Sequence, residues 1–169
     1  MELEAVRLLV NHPSVLLNTG TPLYSYLLEE LEDMEFLTPA YQRLLDECRQ
    51  FLKAGQELQS QLFTHHPNGD VRSEAIDLIM LTERYQKSPN WESHGIFVPD
   101  MDGDISNAAF HSVAQLKWRN VQLMMAQNRE ELRHVTDVEE MDKLLKVNKY
   151  LKDLEMELAN ILGNVIPGM

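Results

Sequence analysis

The chain has one cysteine, Cys48, in 169 residues. A lone thiol excludes a disulfide framework and a cysteine-based zinc cluster. No apolar run approaches the roughly 18 residues that a membrane span needs, and no signal peptide opens the chain. There is no Gly-rich phosphate loop, and no Ser, Cys or Lys nucleophile with a recognisable base and orienting group. Fixed-period repeats and low-complexity segments are missing too. Positive charge is scarce: 15 Lys and Arg face 27 Asp and Glu, for a formal charge of −12. The deficit is uneven. Residues 1–104 carry seven basic against eighteen acidic side chains, a net of −11, whereas residues 105–169 carry eight against nine. An acidic body argues against direct, phosphate-driven binding of DNA or RNA. The near-neutral remainder suits a protein partner better. With 44% apolar residues the chain can build an ordinary core. These bounds lead to the expectation of a soluble, cytoplasmic, all-α protein without a cofactor.

What the sequence does have is helix signals. Leu3, Val6, Leu9 and Val10 form a short stripe that stops near Pro13. Thr21-Pro22 and Thr38-Pro39 each read as an N-cap followed by Pro at the first helical position, where the missing N–H costs nothing. The first opens a helix through Leu23, Leu27, Leu28 and Leu31. The second opens one through Tyr41, Leu44, Leu45, Cys48 and Leu52, with Gly55 as its stop. After a short helix ending before Pro67, Asn68-Gly69 leads to Asp70, read as the cap of a helix that buries Val71, Ala75, Leu78 and Ile79. Ser88-Pro89 opens a short helix carrying Trp91 and ended by Gly95. The segment IFVPDMDGD is the one stretch with an extended character, too short to found a sheet.

The chain is organised around residues 104–134. This stretch holds no Pro or Gly and opens on Asp104 as N-cap. As one helix it would be roughly 45 Å long. Its first two-thirds is apolar on two faces: Ile105, Ala109, Val113 and Leu116 on one, Phe110, Ala114, Trp118, Val121 and Met125 on the other. Such a helix packs on several sides. Its last third, QNREELRH, is polar, so burial there should narrow to a seam.

Thr136-Asp137-Val138-Glu139 then reads as a capping box. In the final helix Leu144, Val147, Leu151, Leu154, Leu158, Ile161 and Val165 alternate four- and three-residue steps, a coiled-coil seam. Joined by about two residues, the two long helices should fold back as an antiparallel hairpin. Met141, Leu145, Tyr150 and Leu162 flank that seam and either pack back on the body or await a partner. The expected architecture is a helical bundle over 1–125, including the first part of the linking helix, followed by a hairpin over 126–169.

Candidate chemistry is thin. His65-His66 and Asp70 suggest a metal centre, but adjacent histidines diverge and no second His-Asp pair follows, so packing or capping is the better reading. His12, His94, His111 and His134 are scattered singly. Asp100, Asp102 and Asp104 resemble the start of a calcium loop, yet its sixth and twelfth places hold Ile105 and His111 where Gly and Glu are needed. Met124-Met125 reads as core filling, and Lys146, Lys149 and Lys152 as a solvated face.

One block is more specific. LFTHHPNGDVRSEAIDLIMLTERYQKSPNWESHGIFV, residues 62–98, resembles the C-terminal region of bacterial replicative DNA primase, in the variety found in Bacteroides-like bacteria. Phe63, His65, Asp77-Leu78, the Ser88–Trp91 step and Gly95-Ile96-Phe97-Val98 carry the likeness. LKWRNVQLMMAQNREEL follows, similar to that family's long linking helix with its Lys-x-Arg. The order and spacing of these features, rather than any single motif, make the resemblance, which covers most of the chain. It implies a helicase-binding domain without polymerase chemistry of its own: a helical bundle plus a terminal hairpin that attaches to the N-terminal domains of the replicative helicase. The zinc-binding and polymerase domains of that family have no counterpart here, so the resemblance implies the C-terminal domain of a longer enzyme.

On that reading the docking residues are Tyr150, Met156, Ile161, Leu162, Val165 and Ile166, apolar side chains on or beside the seam near the hairpin's free end. Lys146 and Lys149 would tune encounter and orientation. Two rivals belong to other classes: a small metal-dependent helical enzyme using His65, His66 and Asp70, and a generic acidic adaptor or homo-oligomer that self-associates through the final seam.

Overall fold

A computed structural model describes residues 1–84 and 104–163. Among these the protein is all-helical: α1 (Glu2–Asn11), α2 (Leu23–Glu30), α3 (Pro39–Lys53), α4 (Ser60–Thr64), α5 (Gly69–Arg84), α6 (Ile105–His134) and α7 (Val138–Ile161). The only β-type pairing described is an isolated bridge between Leu16 and Pro22. The chain divides into two compact units, Met1–Ser112 and Val113–Met169. The division falls within α6, as does the expected boundary after residue 125. The Ser88–Trp91 helix, Gly95 and the IFVPDMDGD segment lie outside the described residues, except for Asp104.

The first unit is built round α1, which packs against α2, α3, α4 and α5. Its sequence promises one apolar stripe, yet Ala5, Val6, Leu8, Leu9 and Val10 are all fully buried, and so is Arg7. A helix this largely enclosed must neutralise the charge it buries. Arg7 does so within its own helix: Nε donates to Glu4 Oε2 at 3.0 Å and Nη2 to Glu4 Oε1 at 2.8 Å. One turn earlier the buried Glu2 carboxylate accepts from the backbone N–H of Leu37 at 2.8 Å and of Thr38 at 3.1 Å. Those are donors at the start of α3, which its own Thr38 side chain leaves uncapped. A carboxylate is well suited to orphan N–H groups at a helix N-terminus.

Around α1 the expected buried faces are present. Leu23, Leu27, Leu28 and Leu31 line α2, Leu44, Leu45 and Cys48 line α3, and Val71, Ala75 and Leu78 line α5. α3 ends as its sequence indicates: Gly55 takes φ 71°, its N–H donates to Leu52 O, and the Gln56 N–H reaches back to Phe51 O. This double closure needs a left-handed residue at the glycine position. Arg49 Nη2 lies 2.7 Å from Leu31 O, 3.1 Å from Glu32 O and 3.2 Å from Met34 O, placing a cation at the C-terminus of α2.

Three caps sit elsewhere than the sequence suggests. Pro22 precedes α2 as its cap, with φ −59° and ψ 139°, so Thr21 does not cap. Asn68 rather than Asp70 caps α5: its Oδ1 accepts from the Asp70 N–H at 2.9 Å, and its C=O from the Arg72 N–H. Asp137 rather than Thr136 caps α7, its Oδ2 accepting from the Glu140 N–H at 3.0 Å. Where two capping residues adjoin, the neighbouring turn decides which side chain is free to reach N3. Asp104 caps α6 as expected, through the Asn107 N–H at 2.9 Å. The start of α6 docks in the first unit, where Ser106 Oγ accepts from the Asn18 N–H and Phe110 meets Tyr26 edge-on at 5.0 Å.

The second unit is the hairpin. α6 runs unbroken through Gln127-Asn128. From Val121 onward its burial narrows to Val121, Met125 and Asn128, with Leu132 half-buried. Residues 135–137 turn the chain, and α7 returns antiparallel. Asn128 Nδ2 donates to Leu144 O at 3.2 Å near the turn, while Val121 and Met125 cluster with Leu151, Leu154 and Leu158 further along. The seam expected of α7 is present in part: Leu144, Leu151, Leu154 and Leu158 turn inward, whereas Val147 and Ile161 stay 45% and 62% exposed, and Asn148, Glu155, Ala159 and Leu162 are buried or half-buried beside it.

Replacing Glu2 with Ala should lower the unfolding free energy by about 2–3 kcal/mol in urea titration, because two charge-assisted bonds to half-buried N–H groups are lost. Leu151→Ala should weaken the hairpin by about 2–4 kcal/mol, and Val147→Ala by under about 0.5 kcal/mol. Amide exchange along α7 reads both. Equal effects at the two positions would put Val147 on the buried seam.

Candidate docking surface on the C-terminal hairpin

With the seam turned inward, two apolar stripes remain outside on α7. Val147, Tyr150 and Ile161 follow steps of three and eleven residues and so share one face, bordered by half-buried Leu154, which packs on the hairpin core. Val138, Met141, Leu145 and Met156 mark a second face. Exposure is high on both: Tyr150 is 64% exposed, Val138 77% and Met156 49%. Seven exposed apolar side chains on a 24-residue helix exceed the scattered surface residues of an ordinary protein. On α6, Leu123 and Met124 are exposed as well, so of the Met124-Met125 pair only Met125 fills core.

The proposed docking residues divide between these faces. Tyr150 and Ile161 lie on the first, with Lys146 one turn before Tyr150. Met156 lies on the second, with Lys149 between Leu145 and Met156. Leu162 is half-buried at the end of α7, where its N–H closes onto Leu158 O. Val165 and Ile166 lie outside the described residues. Lys146 is exposed and bonded to Asp142 at 2.6 Å; Lys152 sits 3.8 Å from Glu155. Sequence reasoning places Val147 on the seam and Val138 inside the capping box, and so misses both as surface residues.

The histidine pair is occupied structurally. His65 Nδ1 lies 3.1 Å from Thr64 Oγ1 and 3.1 Å from Gln61 O. Buried His66 turns the other way. Its Nδ1 accepts from the Asn68 N–H at 3.2 Å, which leaves the proton on Nε2, 3.3 Å from the Glu47 carboxylate. Its ring meets Phe51 edge-on. Asp70 contributes its backbone N–H to the Asn68 cap. Among the described residues no three His, Cys, Asp or Glu side chains converge to hold a metal ion. Asp104 serves as a helix cap, and Asp100 and Asp102 lie outside the described residues. Cys48 is fully buried in α3, and burial pushes its thiol far above the usual range. A thiol held protonated is a poor nucleophile. An open groove of about 340 Å³ lies between the end of α1 and Ser60, lined by Asn11, His12, Ser14 and Gln59.

The chain matches the family described as a domain of unknown function (DUF8430) over residues 1–165, and it belongs to that family. No curated protein and no solved structure matches it. No described helix is long and apolar enough to cross a membrane.

Cys48 should stay unmodified by an aromatic disulfide reagent in the native protein and react stoichiometrically in denaturant. Fast native modification would mean that α3 opens.

Proposed function

We propose that this DUF8430 member is a protein-docking domain that tethers a DNA primase to the replicative helicase at the replication fork. The observation that carries the docking part is the hairpin of the second unit, whose last helix leaves Val147, Tyr150 and Ile161 on one face and Val138, Met141, Leu145 and Met156 on another without a described partner. Apolar surface of this density on a thin two-helix unit is suited to burial against another protein. The naming of the partner rests on the resemblance of residues 62–98, and of the long helix after them, to the C-terminal region of replicative primases. A bundle followed by a long helix and a hairpin is the element order that the resemblance implies.

The mechanism is non-covalent. Docking of the hairpin on the helicase N-terminal domains would hold the attached primer-synthesising domain at high local concentration near the emerging single strand. Tyr150 and Ile161 would contribute most, because large exposed side chains lose the most water-accessible surface. Lys146 and Lys149 would steer encounter rather than supply affinity. The chemistry of primer synthesis would belong to other domains of such an enzyme.

Calorimetric titration of the domain into the replicative helicase of the same organism tests this reading. Saturable binding is expected, weakened at least about tenfold by Tyr150→Asp combined with Ile161→Asp, with helicity by circular dichroism unchanged since both positions are exposed. Absence of binding by the unaltered domain would overturn the helicase assignment. Binding indifferent to the double substitution would move the interface off this face.

A further inference from the structure

The face of α7 that carries Tyr150 also has a charge order that answers itself. Lys143 precedes Tyr150 by seven residues and Glu157 follows it by seven, two helical turns either way and on the same stripe. Both are exposed, and neither has an ion pair or hydrogen bond among the described residues. Nearer the centre, Lys146 and Val147 lie four and three residues before Tyr150, and Asp153 and Leu154 three and four after. Apart from Asp142, which bonds Lys146, basic residues thus occupy one half of the stripe and acidic residues the other, with exposed Val147 in the first half and half-buried Leu154 in the second.

We infer that this face pairs with a second copy of itself, antiparallel, about a two-fold axis through Tyr150. In that arrangement residue 150 + n of one copy meets residue 150 − n of the other. Lys143 faces the partner's Glu157 and Glu157 faces the partner's Lys143. Lys146, whose ammonium is held by Asp142 of its own helix, lays its methylene stem on the edge of the partner's half-buried Leu154. The two Tyr150 rings meet at the axis, and each Val147 packs beside the partner's Leu154. A parallel pairing sets Lys143 against Lys143 and Glu157 against Glu157, so charge selects the antiparallel form. An isologous contact of this kind closes on itself and stops at a dimer.

The paired stretch, from Lys143 to Glu157, is about 21 Å long. That is small for a stable interface, so the dimer is a weak one, with a dissociation constant on the order of 10–100 µM. The inference is independent of the helicase reading. If both hold, docking and self-pairing compete for Tyr150, and the partner must displace the second copy.

Sedimentation equilibrium of the full chain from about 5 µM to about 1 mM, a range that brackets this constant, tests it in parallel with circular dichroism. The expected result is a reversible monomer–dimer equilibrium. Lys143→Glu alone, or Glu157→Lys alone, should weaken it roughly tenfold by setting like charges opposite at both symmetric positions. The two together should restore it, which loss of folding would not do. A strict monomer at the highest concentration would overturn the inference. So would a dimer that ignores the single reversals, or one that the double exchange fails to rescue. Each of these outcomes is read without the helicase, so failure of the docking reading leaves the self-pairing test intact.

Discussion

The enclosure of α1 is the constraint on which the first unit depends. Seven of the ten residues of α1 are buried, and a helix so enclosed must be apolar there or satisfy its polar groups internally; α1 does both. Its aliphatic side chains supply the contact surface for four other helices, while its two charged residues with buried side chains are turned to use. Arg7 closes on Glu4, so its guanidinium does not lie unpaired in the core. Glu2 reaches past its own helix to the N-terminus of α3 and fixes where that helix begins. The position of α3 in turn sets Arg49 against the carbonyls at the end of α2. Packing and polar satisfaction are therefore not separate layers here, because the buried charges of α1 and α3 position their neighbours.

The hairpin is held differently. Its core is a narrow seam, with Val121, Met125 and Leu151 buried and Leu154 and Leu158 partly so. Asn128 interrupts that seam, directing its Nδ2 to Leu144 O while its Oδ1 has no partner. A buried amide in an apolar seam lowers stability but favours one register over its neighbours. A unit with so little core and so much exposed apolar surface is poorly explained as a self-sufficient fold. The same helix that closes the hairpin presents the material for an intermolecular contact.

Docking and self-pairing draw on one physical feature. A helix that packs along one seam in a two-helix unit leaves most of its circumference free, and apolar residues placed there find no partner within the unit. On α7 they are accompanied by blocks of charge, lysines between residues 143 and 152 and acids on either side. Charge ordered along an apolar face restricts which surfaces can approach and in which direction. The acidic first unit adds to this by repelling polyanions.

Helix identity and order could be read from residues 1–84 and 104–163 by periodicity, because each buried face recurs at helical spacing and Pro, Gly and Asp punctuate the ends. Leu23 to Leu31, Leu44 to Cys48 and the Asp104 cap are local patterns with local causes. The resemblance implies a partner class that no local pattern carries and that the fold leaves to experiment. What periodicity could not decide depended on neighbours. α1 looks one-sided in sequence and is enclosed in the fold, since nothing in ten residues tells how many helices will surround them. The choice between Thr136 and Asp137, or between Asn68 and Asp70, as cap is set by the turn before the helix. Which seam residues of α7 are covered was decided by tertiary structure as well. Steps of three and four put Leu144, Val147, Leu151, Leu154, Leu158 and Ile161 on one side of the helix, but a single opposing helix covers only part of that side. The opposing helix therefore determines which residues are buried and which, like Val147 and Ile161, are left facing out.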